Sequence, residues 1–161
     1  MNFTIEQFNK TKKEAEEYYQ KLDKVKCPYF GDYIHFNAKG WEHLIFKEWN
    51  KTRLINDQYV RFRHLKIISE IVSNSKTLQG LWPTQKFERV KINKKWQKVL
   101  KQITYYEFIA VMDSHGSKIR VKIIIKQIGG GEKFFLSIIP FWGVNKLNGS
   151  RVMHNGNPEV D

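Results

Sequence analysis

At 161 residues, 41% hydrophobic and 14% aromatic, the chain has enough apolar content for one packed core and too much of it for intrinsic disorder. Its 28 Lys plus Arg against 16 Asp plus Glu give a formal net charge of +12, an imbalance that nucleic acid would neutralise first and an anionic membrane surface second; a composition that merely runs rich in lysine is the alternative. No stretch approaches the ~20 apolar residues of a membrane span, and Met1 to Glu6 lacks a signal-type apolar run, so the expectation is a cytoplasmic chain with no membrane partner.

Thr4 to Lys24 reads as an amphipathic helix, with Ile5, Phe8, Ala15, Tyr18, Tyr19 and Leu22 at helical spacing among charged positions. Thr4 followed by Gln7 has the spacing of a capping box. Cys27-Pro28 and Gly31-Asp32 then break the period. As the one cysteine, Cys27 excludes an internal disulfide and a cysteine-built zinc cluster; it fits a reducing compartment, and no disulfide-linked partner is expected. Tyr33 to Phe36 is a short β-like run, and Lys39-Gly40 leads into a short helix over Trp41 to Lys47. A second clear helix is predicted from Asp57 to Val72, capped by Asp57, with Val60, His64, Ile67, Ile68 and Ile71 on one stripe. Arg61 falls inside that apolar arc. An unpaired cation there would be costly, so Arg61 must reach a carboxylate or emerge into a polar cleft.

From Thr77 the period turns toward two, and Thr77 to Trp82, Phe87 to Ile92 and Thr104 to Met112 read as strands. Lys118 to Lys126 alternates basic with β-branched residues, as a strand with one core face and one wet basic face would. Gly129-Gly130-Gly131 connects it as a hairpin to Phe134 to Pro140. The polar stretch from Asn145 to Asp161 is expected to run over the surface. Helices first and meandering strands afterward predict an α+β fold, with N-terminal helices packed on one face of an antiparallel sheet of about four strands. The expected organisation is a single domain over residues 1–161, with the N-terminal helix in 1–24 and the polar tail in 145–161.

The chain has no phosphate-cradling glycine loop before a helix, no paired-histidine zinc helix and no serine nucleophile elbow. Scattered histidines without a carboxylate trio fall short of a metal site, so neither metal nor cofactor is expected. Lys86, Arg89, Lys91, Lys94, Lys95 and Lys98 are interleaved with Phe87 and Trp96, which suits a surface that neutralises phosphates and stacks on bases. Arg120 and Lys122 join this expected nucleic-acid surface, although a basic edge strand also guards against aggregation. His35 and His43 straddle a strand-to-helix turn and, if folded together, offer a general acid and a general base. RNA cleavage through the 2′-hydroxyl needs such a pair plus cations for the phosphorane charge. Lys47, Arg53, Arg61 and Lys126 could supply the cations; a structural or solvated histidine is the alternative for either ring.

The order His35-Phe36-Asn37-Ala38-Lys39-Gly40-Trp41-Glu42-His43-Leu44, then Arg53, then the helix from Arg61 to Val72, then lysine-rich strands closing on Phe135 to Pro140, resembles the barnase, EndoU, colicin D and RelE-like superfamily of small ribonucleases. The resemblance covers roughly Ile34 to Trp142 and leaves the first helix and the tail outside. It implies helices against a four-stranded antiparallel sheet and a metal-independent endoribonuclease, often a toxin or mobile-element effector, with an antitoxin or immunity protein as a further partner. By position it implies His35 and His43 as the family's histidines, Arg53 as the basic residue that follows, and Ser137 as the serine of the last strand. The expected function is therefore RNA cleavage, with His43 or His35 as acid and base and Arg53, Arg61 and Lys126 stabilising charge. The alternatives are a non-catalytic nucleic-acid-binding module and a protein-interaction or inhibitor domain.

Overall fold

The computed structural model places residues 2–48, 50–141, 157–159 and 161. The capping box forms as the spacing predicts: Gln7 N donates to Thr4 Oγ1 at 3.1 Å, and Thr4 N donates to Gln7 Oε1 at 2.8 Å. These bonds satisfy two amides that a helix start would otherwise leave bare. Helix α1 (Ile5–Leu22) then buries Phe8, Ala15 and Tyr19. Strand β1 (Lys24–Cys27), which the sequence pattern does not show, pairs antiparallel with β2 (Asp32–His35). Four residues ending at a Pro-containing turn are too few to display a period of two.

Helix α2 (Ala38–Ile45) is capped by Asn37, whose side chain accepts from Gly40 N at 3.2 Å. It begins earlier and ends earlier than the expected Trp41 to Lys47, because Phe46 has left helical dihedrals (φ −110°, ψ 133°). Phe46 instead opens β3 (Phe46–Glu48), which pairs with β4 (Lys51–Thr52) as a separate two-stranded ribbon. The helix expected from Asp57 to Val72 is also divided. Helix α3 (Ile55–His64) passes through a 3₁₀ turn at Leu65–Ile67 into α4 (Ile68–Asn74). Asp57 is not its cap, since Leu54 holds that position; Asp57 sits in the first turn, where its carboxylate serves two arginines.

The strands β5 (Gly80–Ile92), β6 (Lys95–Ser114), β7 (Ser117–Ile128) and β8 (Lys133–Phe141) complete a six-stranded sheet in the order β1-β2-β8-β7-β6-β5. The fold is α+β, with six strands in the main sheet where about four were expected, and the β2–β8 pair is parallel. The runs expected at Thr77 to Trp82 and Phe87 to Ile92 are one strand from Gly80, continuous through Pro83; the proline is tolerated because β5 is the sheet edge. Its hairpin turn is Asn93-Lys94, both at positive φ (48° and 65°), as a two-residue primed turn requires.

Helices α1 to α4 contribute to a core on one face of the sheet, where Phe8, Tyr19, Leu44, Phe62, Ile68 and Val72 pack against Phe108, Ile123, Ile125, Phe135 and Ile138. A smaller cluster of Ile103, Tyr105, Ile124, Phe134, Leu136 and Ile139 occupies the other face. The expected wet basic face of β7 is therefore corrected. Lys122 and Lys126 are 3% and 5% exposed and reach carboxylates, because the neighbouring strand and the chain returning over this face exclude water from them. Lys126 stands level with Tyr105, and Tyr105 with Trp82. Glu88 lies six residues beyond Trp82, about 20 Å along a flat strand, yet its carboxylate is 3.2 Å from Lys126 Nζ. The β5–β6 ribbon must coil back over this face. Of the tail expected to run over the surface, only 157–159 and 161 lie among the described residues; there Asn157 is exposed, but Pro158 is buried and Glu159 half-buried. No described helix is long and apolar enough to cross a membrane.

Candidate functional site

His43 lies in the last turn of α2, beside the fully buried Leu44. Gly40, one turn earlier, lets this helix approach β8 closely: a Cβ there would overlap the Phe135 carbonyl and the Tyr19 hydroxyl. Arg53 follows β4, and its Nε donates to the His43 carbonyl at 2.9 Å while Nη2 lies 3.4 Å from His43 Nδ1. Arg53, Asp57 and Arg61 succeed one another at i, i+4 spacing, so the carboxylate stands between two guanidinium groups, 3.2 Å from Arg53 Nη1 and 2.8 Å from Arg61 Nε. Both arginines are 5% exposed. Arg61 thus reaches a carboxylate, as its place in the apolar arc demands, and its Nη1 also donates to the buried Ser137 hydroxyl and to the Ile138 carbonyl at 3.1 Å.

Burial sets the electrostatics. It pushes His43 down to about 4, an effect that a bond to the Glu159 carbonyl offsets in part and that Arg53 and Arg61 reinforce. The imidazole is neutral at pH 7. A coherent tautomer has Nε2–H donating to Glu159 O at 2.6 Å, leaving the Nδ1 lone pair toward Arg53. Arg53 is lowered to about 10, first by burial and then by Arg61, against the pull of Asp57. Burial would raise Asp57, but Arg61 and Arg53 outweigh it and hold the carboxyl below its ordinary range.

His43 also lines a cleft of about 920 Å³, with Lys39, Glu42, Lys47, Lys86, Arg89, Trp96, Lys126 and Glu159 among the residues around it. On its floor the Glu159 carboxylate accepts from the Tyr105 hydroxyl and from Lys126 Nζ at 3.1 Å. Burial would raise Glu159; Lys126, Tyr105 and Lys86 hold it lower.

His43, Arg53, Arg61 and Ser137 are brought together, and Lys126 lies in the same cleft, tied to the first group through Glu159. His35 is placed elsewhere: its Nδ1 is 3.7 Å from Glu132 Oε2, and it is not among the cleft residues. Lys86, Arg89 and Trp96 line the cleft, whereas Lys91, Lys94, Lys95, Lys98 and Arg120 are exposed. Lys122 is corrected, since it is buried and 3.4 Å from Glu107. His64, on the helix stripe, bonds through Nδ1 to Ser114 Oγ at 2.9 Å inside the core. His115 sits in the turn between β6 and β7 at φ 51°, and His154 lies outside the described residues. Sequence reasoning missed Asp57 as a clamp, although its spacing from Arg53 and Arg61 was a usable signal. It missed Tyr105, Glu88 and Glu159 because only the folded sheet and the returning chain bring them to Lys126.

A family model, large polyvalent protein-associated domain 3, matches residues 6–135. The chain belongs to that family. The match spans most of this large polyvalent protein-associated domain, from α1 into β8, and includes His43, Arg53, Asp57, Arg61, Tyr105 and Lys126. It reaches back over the first helix, which the ribonuclease resemblance left outside, and the family's description carries no ribonuclease activity. No curated protein and no solved structure matches the chain.

Proposed function

We propose that this large polyvalent protein-associated domain binds RNA in the His43 cleft and cleaves it by acid–base transesterification, as the toxin-like effector domain of a larger protein. The observation that carries the reading is the neutral His43 imidazole held against Arg53 at the wall of a cleft lined by five Lys or Arg side chains and four glutamates. A neutral ring accepts a proton, and the adjacent guanidinium groups stabilise negative charge where water is scarce. In this scheme the 2′-hydroxyl proton passes to His43, O2′ attacks phosphorus, and the 5′-oxygen leaves with a proton from water, giving a 2′,3′-cyclic phosphate. Arg53, Arg61 and Lys126 bear on the phosphorane charge, while Ser137 positions Arg61. His35 has no part in the step.

A second reading, a binding module without catalysis, is favoured by the β5–β6 ribbon. Register places Phe87 opposite Leu100, Arg89 opposite Lys98 and Lys91 opposite Trp96 on one face. Phe87 and Trp96 are 69% and 64% exposed there, which presents rings for stacking between cations for phosphates. One experiment separates the two. Incubate the purified protein with mixed RNA in EDTA, and in parallel measure binding of a single-stranded oligonucleotide across salt. Cyclic phosphate ends that disappear in His43→Gln support cleavage. Binding with a log-log salt slope of about −0.7 per neutralised phosphate, without cleavage, selects the binding module. A slope near zero sinks both.

A further inference from the structure

The described chain near the C-terminus places an acidic side chain where an anionic ligand would sit. Glu159 puts its carboxylate on the Tyr105 hydroxyl and on Lys126 Nζ, and its carbonyl on His43 Nε2. Lys86 also bears on this carboxylate, and its Nζ is 5.8 Å from the Tyr105 ring centroid. Two residues later, the Asp161 carbonyl accepts from Ser137 Oγ at 3.4 Å. A short segment therefore touches His43, Tyr105, Lys126 and Ser137, the last of these a partner of Arg61. Lys126 has Glu88 as a second carboxylate at 3.2 Å, so its charge does not depend on Glu159 alone.

A carboxylate held by one hydroxyl and ammonium groups has the anionic, multiple-acceptor character of a phosphate oxygen pair. We infer that Tyr105, Lys126 and Lys86 form a subsite for one phosphate of the bound nucleic acid, and that the segment containing Glu159 fills this subsite as an internal, displaceable competitor. The inference rests on the cleft being the nucleic-acid site. Displacement takes the Glu159 carbonyl off His43 Nε2, so that the neutral ring can carry its lone pair on that nitrogen and accept the substrate proton, and the same movement opens the anion subsite and its cations. A segment that occupies the site in part of the population lowers apparent affinity by the unoccupied fraction. Removing its charge restores that affinity.

The test uses the full chain and a single-stranded 2′-deoxy oligonucleotide, which cannot be cut through a 2′-hydroxyl. Glu159→Gln is expected to bind it about fivefold more tightly or better and to steepen the log-log salt slope by about 0.7, the share of one further phosphate on a single strand. Adding Tyr105→Phe and Lys126→Met to that background is expected to abolish the gain, with circular dichroism showing that the fold is kept. Inorganic phosphate, followed by ³¹P line broadening, is expected to compete with the oligonucleotide in Glu159→Gln. Equal affinity and equal slope in wild type and Glu159→Gln overturn the subsite while leaving the cleft as a nucleic-acid site. Phosphate binding to Glu159→Gln without any oligonucleotide binding keeps the subsite and removes the nucleic-acid reading. Loss of RNA cleavage in Glu159→Gln with unchanged oligonucleotide binding makes Glu159 a proton-transfer group and overturns the competitor role. Absence of both phosphate and oligonucleotide binding removes both readings.

Discussion

Asp57→Asn tests the electrostatic frame on which the cleft depends. The carboxylate accepts from Arg53 at 3.2 Å and from Arg61 at 2.8 Å, and each arginine is only 5% exposed. Stripping one partner from a buried ion pair costs about 3–5 kcal/mol, because the remaining charge stays desolvated. The Asp57 side chain, however, is 41% exposed, so water screens the interaction and solvates part of what is left; about 2–3 kcal/mol is the sounder figure. In a chain of 161 residues each kcal/mol moves Tm by about 2–4 °C, so Asp57→Asn should lower it by roughly 5–10 °C at pH 7. The folded pKa of Asp57 lies below its ordinary value of 3.8. Its contribution is thus fully present above the unfolded pKa and lost as pH falls through the folded one. Urea unfolding of both proteins from pH 7 downward should show a constant gap that narrows only below about pH 4–5. An Asp57→Asn variant as stable as wild type at pH 7, or a gap unchanged at the acid end, would refute the clamp.

Arg61→Met should retain the fold, because methionine suits the apolar arc, and should weaken RNA binding or cleavage; a variant that is more stable and fully active would make Arg61 a packing residue. His43→Gln should lower cleavage by about 10²-fold, the usual yield of one general acid or base. It should also flatten the pH dependence of stability: burial holds folded His43 at about 4 against 6.5, so the wild type loses stability as pH falls from 6.5 through 4, and equal slopes in the two proteins contradict the burial argument. Gly40→Ala gains helix propensity of about 1 kcal/mol but sets a methyl against the Phe135 carbonyl and Tyr19 hydroxyl. The net effect on denaturant midpoint should be destabilising, and a neutral or stabilised variant would show that α2 can back away from β8.

The first helix, its capping box and the buried stripe of the second helical region were legible from the sequence alone, since an 18-residue amphipathic period and a Thr4–Gln7 pair are local properties of the chain. The same holds for the α+β order and for the β7–β8 connection through glycines. The demand that Arg61 find a partner was equally legible, because a cation on an apolar face is costly wherever the helix docks. Short strands such as Lys24–Cys27, and the exit from α2 at Phe46, were not; pairing with a neighbour, not local preference, holds such segments in place. Tertiary structure alone decided the site. The alternation of β7 marks Lys122 and Lys126 as one face, yet only strand pairing, which sets Glu107 beside Lys122, and the coil of the β5–β6 ribbon with the return of Glu159, which bring two carboxylates to Lys126, make both lysines paired. His35 and His43 are eight positions apart in the chain but take different partners, Glu132 and Glu159, because a β-strand that joins the sheet and a helix that packs on it direct their side chains independently. Periodicity reports which side of an element is apolar; which polar groups meet across the fold depends on long-range register and on chain segments that no local pattern connects.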